Sequence, residues 1–172
     1  MSLPSFKPSQ RRLLVGSAIA LAEAGADVLV SARSVEQLDE VAARIRALGR
    51  RALVVPADLN DLDAVAGLPD DLVVMGFSNG GGMSTYVACN RPVSRAVLCS
   101  GALPLDVIGQ ERWPRGVPAQ LHYTLKDPFL RPGSVESVLR SVGEAGAVGE
   151  RHADEAALDA LVLPAQAFFE AQ

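Results

Sequence analysis

The pattern Gly-Phe-Ser-Asn-Gly at residues 76–80 has the spacing that most directly indicates chemistry in this sequence. The apolar run at residues 72–75 predicts a strand before it, and a helix is expected to begin near Asn79. A strand that turns sharply into a helix holds the serine at a strained backbone position with its hydroxyl exposed, as a nucleophile requires. Gly76 and Gly80 are expected to be needed because a Cβ at either position would collide across the turn. A second interpretation, that the pattern occurs by chance or caps a helix, stays open.

Ser78, the serine of this pattern, needs donors that stabilise an oxyanion. The backbone N–H of Asn79 is the first predicted donor, because it lies at the positive end of the helix. One such donor is typically worth about 2.7–4 kcal/mol of transition-state stabilisation. The backbone N–H of Gly16 or Ser17 is predicted to supply the second.

A serine nucleophile also needs a base and an acid that orients the base. In sheets that carry such an elbow, the chain order is Ser, acid, His. Asp127 ends a predicted strand and is the predicted acid; the alternative is a turn residue before a proline. His152 is the histidine that follows this acid and is the predicted base, or else an exposed residue at the start of a helix. His122 lies within a strand and is predicted to be structural.

Strand-like runs alternate with helical patterns, which predicts an α/β fold: a doubly wound three-layer α/β/α sandwich with a mostly parallel sheet of about six strands. The predicted strands are residues 13–15, 27–32, 52–56, 72–76, 95–100 and 119–124. Helices are expected at residues 17–24, 134–145 and 154–171, with at most a short helix in the loop 101–117. The strand order 3-2-1-4-5 would place residues 13–15 beside residues 72–75.

A further helix is predicted after Ser34, which has the capping-box spacing to Gln37. Gly49 is expected to end this helix. Its apolar residues repeat on one face: Val35, Leu38, Val41, Ala42, Ile45 and Leu48.

Residues 12–62 resemble the opening of the short-chain dehydrogenase/reductase family, with residues 18–33 similar to its first helix and second strand. The resemblance implies that Arg33 would contact the 2′-phosphate of NADP and that Asp58 would contact adenine. The family's turn of three glycines, which approaches the pyrophosphate, is reduced here to Gly16.

The family's Tyr-x-x-x-Lys pair is also missing, because Tyr86 is followed four residues on by Asn90 and Tyr123 by Asp127. No cofactor is therefore predicted, and NAD(P) binding through Arg33 and Asp58 is the alternative.

Residues 66–146 resemble the serine branch of the dienelactone hydrolase family, in the stretches 71–83, 96–104 and 118–128. The resemblance implies an α/β-hydrolase site with Ser78 as nucleophile and Asp127 as acid. The family's histidine follows one more strand, in a loop that residues 149–152 resemble. No strand is predicted before His152, which leaves the base as the open point of this interpretation.

The 172 residues and net charge of −4 predict a single α/β domain that binds neither nucleic acid nor membrane. Residues 1–10 are expected to be a flexible tail, before a dehydrogenase-like half (12–62) and a hydrolase-like half (66–172). Cys89 and Cys99 fit no metal pattern and predict reduced thiols in a cytoplasmic protein. The oligomeric state stays open between monomer and homodimer.

The predicted function is a serine hydrolase that cleaves a small carboxylic ester or lactone through an acyl-enzyme. One alternative is a catalytically silent chimera, natural or engineered, that serves as a scaffold. Another is a vestigial NAD(P)-binding reductase.

Overall fold

The computed structural model describes residues 8–56, 68–124, 127 and 130–153 of the chain. Its backbone contacts divide the chain into two compact units, residues 1–61 with 162–172 and residues 62–161.

The first unit contains two helices and two parallel strands. They are α1 (Pro8–Glu23), β1 (Val28–Ala32), α2 (Val35–Ala47) and β2 (Ala52–Pro56). The strands pair in register from Val28 with Ala52 to Ala32 with Pro56. A parallel pair needs a crossover, and α2 supplies it.

The α2 helix confirms the predicted apolar face at Leu38, Val41, Ala42 and Ile45, which are buried. The prediction is wrong at the two ends of the face, where Val35 and Leu48 are exposed. Val41 and Ile45 join Ala22 of α1 in the core of this unit. The capping-box prediction is wrong in one respect, since the Ser34 side chain makes no cap hydrogen bond. Gly49 follows the helix with a φ of +77°, the left-handed conformation that favours glycine.

Residues 13–15 do not form a strand, because α1 runs unbroken through them. Three apolar residues beside an alanine-rich segment continue the helical pattern, and one Gly16 costs a helix only about 1 kcal/mol. The predicted order 3-2-1-4-5, which needed this strand, is therefore wrong. The predicted tail is also too long, since α1 begins at Pro8. Residues 1–7 lie outside the described part of the chain.

The second unit contains a four-stranded parallel sheet in the order β3-β4-β5-β6. The strands are β3 (Leu72–Phe77), β4 (Val93–Cys99), β5 (Ala119–Tyr123) and β6 (Gly149–Ala153). The helix α3 (Asn79–Asn90) connects β3 to β4, and α4 (Ser134–Glu144) connects β5 to β6. A short 3₁₀ helix, Leu105–Ile108, lies in the predicted loop.

The core of the second unit lies on the face of the sheet that packs against its helices. Leu98 and Leu121 point there from the central strands and are 1% exposed. Val138 of α4 and Trp113 belong to the same core. The Trp113 indole N–H donates to the Val117 carbonyl at 2.7 Å.

The predicted fold class is confirmed as a parallel-sheet α/β fold of the Rossmann type, with helices flanking the sheets.

The sequence prediction missed β6, whose residues Gly149–Ala153 alternate in exposure without an apolar run. The helix predicted at residues 154–171 lies outside the described residues. In the part of the chain that the structure describes, no helix is long and apolar enough to cross a membrane.

Candidate functional site

Ser78 lies between β3 and α3 in a strained backbone conformation, with φ 55° and ψ −118°. A positive φ at a non-glycine residue is uncommon and costs on the order of 1–3 kcal/mol. Two backbone hydrogen bonds hold Ser78 in this conformation. The Ser78 N–H donates to the Cys99 carbonyl at 2.7 Å, and the Ser78 carbonyl accepts from the Gly81 N–H at 2.9 Å. The predicted sharp strand-to-helix turn is thus present at this position.

Gly76 is required by the turn, as predicted, because a Cβ there would overlap the Gly80 carbonyl and lie 2.6 Å from Ser84 Oγ. Gly101 is required too, since its Cβ would overlap the Ser78 carbonyl. The prediction for Gly80 is wrong. A Cβ at Gly80 meets no atom within 4 Å, because this residue is on the open side of the first turn of α3.

The structure does not bring His152 to Ser78. Ser78 follows β3 and His152 lies in β6, at the opposite edge of the four-stranded sheet. Three strand spacings of about 4.8 Å separate the two backbones by about 14 Å, which exceeds the reach of the side chains. Asp127 lies in the turn after β5, where its N–H donates to the Thr124 carbonyl at 3.1 Å. Catalytic roles for these residues stay a prediction.

Gly16 and Ser17, the other predicted oxyanion donors, lie inside α1. Beyond the first turn of a helix, each backbone N–H bonds to the carbonyl four residues earlier. These two groups are therefore not free to receive an oxyanion. The Asn79 N–H at the start of α3 stays a predicted donor.

His152 is instead stacked on His122, with ring centroids 4.5 Å apart and an angle of 9° between the planes. The two residues are direct partners in the β5–β6 register, as are Gln120 and Glu150. The Gln120 amide donates to Glu150 Oε2 at 2.6 Å, and His152 Nε2 lies 3.3 Å from the same oxygen. His122 Nε2 lies 3.2 Å from Gln120 Oε1. We call these four residues the polar ladder.

Sequence reasoning missed the polar ladder, although one signal was present. Gln120 and His122 alternate with apolar residues in β5, which indicates a polar face on a buried strand. Their partners in β6 follow the same period but belong to a strand that the sequence did not predict.

Burial lowers the pKa of His122 to about 4, and the nearby His152 adds to this effect while Glu150 opposes it. Hydrogen bonding from Gln120 is the main cause that lowers the pKa of Glu150. His122 is therefore neutral and Glu150 is ionised near neutral pH.

Arg33 lies at the carboxyl end of β1, between that strand and α2. Its side chain is exposed, and no described residue forms an ion pair with it. Asp58, the predicted adenine contact, lies outside the described residues. Within the described ranges, no group of three histidine, cysteine or acidic side chains could hold a metal ion.

Part of this chain is similar in sequence to proteins described as oxidoreductases. No family model matches the chain. The chain is 51% identical over 61 residues to an uncharacterized oxidoreductase of Mycobacterium tuberculosis (strain CDC 1551 / Oshkosh), which covers 34% of this chain and 23% of that protein. An uncharacterized oxidoreductase of Mycobacterium bovis is 44% identical over 64 residues, covering 34% of this chain and 19% of that protein. The chain thus spans at most about a quarter of these relatives.

A solved structure extends the comparison to the fold. A short-chain dehydrogenase from Rhodopseudomonas palustris superimposes with a TM-score of 0.50 at 13% identity, over 92% of this chain and 87% of that one. At this identity the match shows a shared fold and no more.

These findings correct the functional prediction. The recognition of a dienelactone hydrolase half, the serine hydrolase activity and the ester or lactone substrate are wrong, because the relatives that match in sequence are oxidoreductases. The physical reason is that five residues with two glycines specify a tight strand-to-helix turn, which is a backbone requirement. They do not specify the base that would make Ser78 reactive, and His152 is held by Glu150 and His122 instead.

Proposed function

We propose that the chain is a vestigial NAD(P)-binding reductase that binds the adenosine 2′-phosphate end of NADP(H), with Arg33 as the phosphate contact. The observation that carries the proposal is the 51% identity over 61 residues to an oxidoreductase. The resemblance of residues 12–62 to short-chain dehydrogenases supports it and supplies the role of Arg33.

The position of Arg33 suits a phosphate. Ligands of parallel α/β sheets bind at the carboxyl ends of the strands, and Arg33 directly follows β1. A guanidinium binds phosphate through two parallel N–H donors, and no described residue competes for these donors. The first N–H groups of α2 add positive potential, because Ser34 does not cap them with its side chain. Glu36 in the first turn opposes this potential, which makes the charge of Arg33 necessary.

The described residues suit the pyrophosphate of a nicotinamide dinucleotide less well than they suit its 2′-phosphate. Binding of the pyrophosphate needs a turn whose N–H groups point at the ligand. Gly16 lies within α1 instead, and a Cβ there would meet no atom within 4 Å, so no backbone cradle exists at this glycine. The sequence also lacks the Tyr-x-x-x-Lys pair. The proposal is therefore nucleotide binding without a hydride-transfer step.

Two further predictions accompany this proposal. A cytoplasmic location is supported by the free thiols of Cys89 and Cys99, since reduced cysteines are typical of reducing compartments. The organisation of residues 1–172 as one domain stays a prediction.

Calorimetric titration with NADPH, NADH and adenosine 2′,5′-bisphosphate tests the proposal. Arg33→Ala should weaken NADPH and the bisphosphate about 10- to 150-fold, because a charge-assisted hydrogen bond contributes about 1.5–3 kcal/mol. NADH, which lacks the 2′-phosphate, should bind both proteins equally. Arg44→Ala, which removes an exposed arginine further along α2, is the matched control. Equal NADPH affinity in the Arg33 and Arg44 variants, or no binding to the wild type, would overturn the proposal.

A further inference from the structure

The polar ladder lies on the face of the second sheet opposite its apolar core. Leu121 of β5 points into that core, and side chains of a strand alternate between faces. Gln120 and His122 therefore point to the other face, where they are 3% and 1% exposed. Their partners Glu150 and His152 lie on β6, which pairs with β5 alone among the described strands.

The hydrogen bonds of the polar ladder fix the protonation state of His122. The ionised Glu150 carboxylate only accepts, so it orients the Gln120 amide with its NH₂ group toward β6. The Gln120 oxygen then faces His122 and can only accept. His122 must donate from Nε2, and the neutral ring carries its lone pair on Nδ1.

The Nδ1 atom of His122 is buried and has no hydrogen-bond partner. Protonation of the ring would place an N–H at that atom without an acceptor, which is costly in a buried site. The new charge would also lie 4.5 Å from the stacked His152 ring. A proton on His122 is thus incompatible with this arrangement.

We propose that the polar ladder is a pH-sensitive lock on β6, which keeps the edge strand paired with β5 while His122 is neutral and releases it on acidification. The edge position makes β6 the part of the sheet that can open without breaking the other strand pairs. The ion pair of Arg151 with Glu136 of α4, at 3.9 Å and more than half exposed, adds little to hold it.

The charged and titratable groups that face His122 are few among the described residues. Cys99 of β4 is its register partner, and burial raises the pKa of that thiol to about 12, so it stays neutral. Glu150 and His152 face it from β6, and Gln120 of its own strand carries no charge. On acidification the Glu150 charge favours the proton and His152 opposes it, with burial as the dominant cost.

The sign of the pH effect follows from the lowered pKa of His122. In the open state the ring regains its ordinary pKa of 6.5, whereas in the closed state the pKa is about 4. The open state therefore binds more protons below pH 6.5, and the closed state loses stability as the pH falls through 6.5 toward 4. The population of the open state should rise about 20-fold between pH 7 and pH 5.

Hydrogen exchange of the full chain, followed by mass spectrometry and corrected for the intrinsic exchange rate, tests the lock. Protection of residues 149–153 should fall about 20-fold between pH 7 and pH 5. At each pH, β3 in the same unit should stay more protected than residues 149–153, because β6 opens without unfolding the rest of the sheet. His122→Phe keeps a stacked ring without a titrating proton and should abolish the pH dependence. Arg151→Gln, on the opposite face of β6, is the matched control and should retain it.

An NMR titration of the histidine rings in the wild type provides a test that needs no variant. Between pH 8 and pH 5 the His122 resonance should move by no more than about a tenth of its full titration shift, as a pKa of about 4 implies. A pH-independent protection of β6, the same pH dependence in His122→Phe, or a His122 ring that titrates near pH 6.5 would each overturn the proposal.

Discussion

Replacing Gly76 with alanine adds one methyl group at the point where β3 passes closest to α3. That methyl group would overlap the Gly80 carbonyl oxygen and lie 2.6 Å from Ser84 Oγ. The oxygen belongs to the backbone, so relief requires that the first turn of α3 move away from the sheet. Overpacking of this kind costs about 1–3 kcal/mol. We therefore expect Gly76→Ala to lower the free energy of unfolding by about that amount.

Gly80→Ala is the matched control, because it adds the same group four residues later. A Cβ at Gly80 meets no atom within 4 Å, and the residue lies within a helix. Alanine is favoured over glycine in helices by about 1 kcal/mol, so this variant should be unchanged or stabilised by up to that amount. The two variants should thus differ by about 1–4 kcal/mol.

Urea unfolding monitored by tryptophan fluorescence measures this difference. Trp113 is the single tryptophan of the sequence and is 2% exposed in the core of the second unit, so its emission reports the unfolding of that unit. With a slope of about 2 kcal/mol per molar urea, the midpoints of the two variants should differ by roughly 0.5–2 M. Coincident midpoints would show that the Gly76 contact with α3 is not as close as the structure places it.

Two further predictions concern buried side chains. Ile45→Ala should destabilise the first unit by about 2–5 kcal/mol because Ile45 is 0% exposed, whereas Leu48→Ala, at 44% exposure, should cost under about 1 kcal/mol. Circular dichroism in urea measures both, and equal losses would contradict the burial of Ile45. Burial raises the pKa of Cys89 to about 11 and that of Cys99 to about 12, so a disulfide reagent at pH 8 should label both at least about 100-fold more slowly in the native protein than in urea. Rapid labelling of either thiol in the native protein would contradict its burial.

The α2 helix shows how much of the fold could be predicted from the sequence. Its apolar residues recur with the helical period, and four of the six that the period selects, Leu38, Val41, Ala42 and Ile45, are buried. The other two lie at the ends of the face and are exposed. The strands β2 and β3 were predicted from short apolar runs for a similar reason. In both cases the secondary structure that the segment favours is also the one that buries its apolar residues, so the local sequence pattern is enough to predict it.

Residues 13–15 and 149–153 show where local pattern fails. The first segment is apolar but continues an alanine-rich helix. The second is polar and forms a strand only because β5 offers it an unpaired edge. Whether a short segment becomes a strand depends on its partner, which a local window cannot contain.

The turn around Ser78 was determined by the sequence itself, because Gly76 permits a close approach that any side chain would block. The sequence by itself did not determine the chemistry that was expected from this turn. Reactivity depends on which groups lie within about 3 Å of the serine, and the tertiary structure decides this by strand order. The sheet places His152 at the far edge and stacks it on His122, because parallel pairing of β5 with β6 brings the two rings into register.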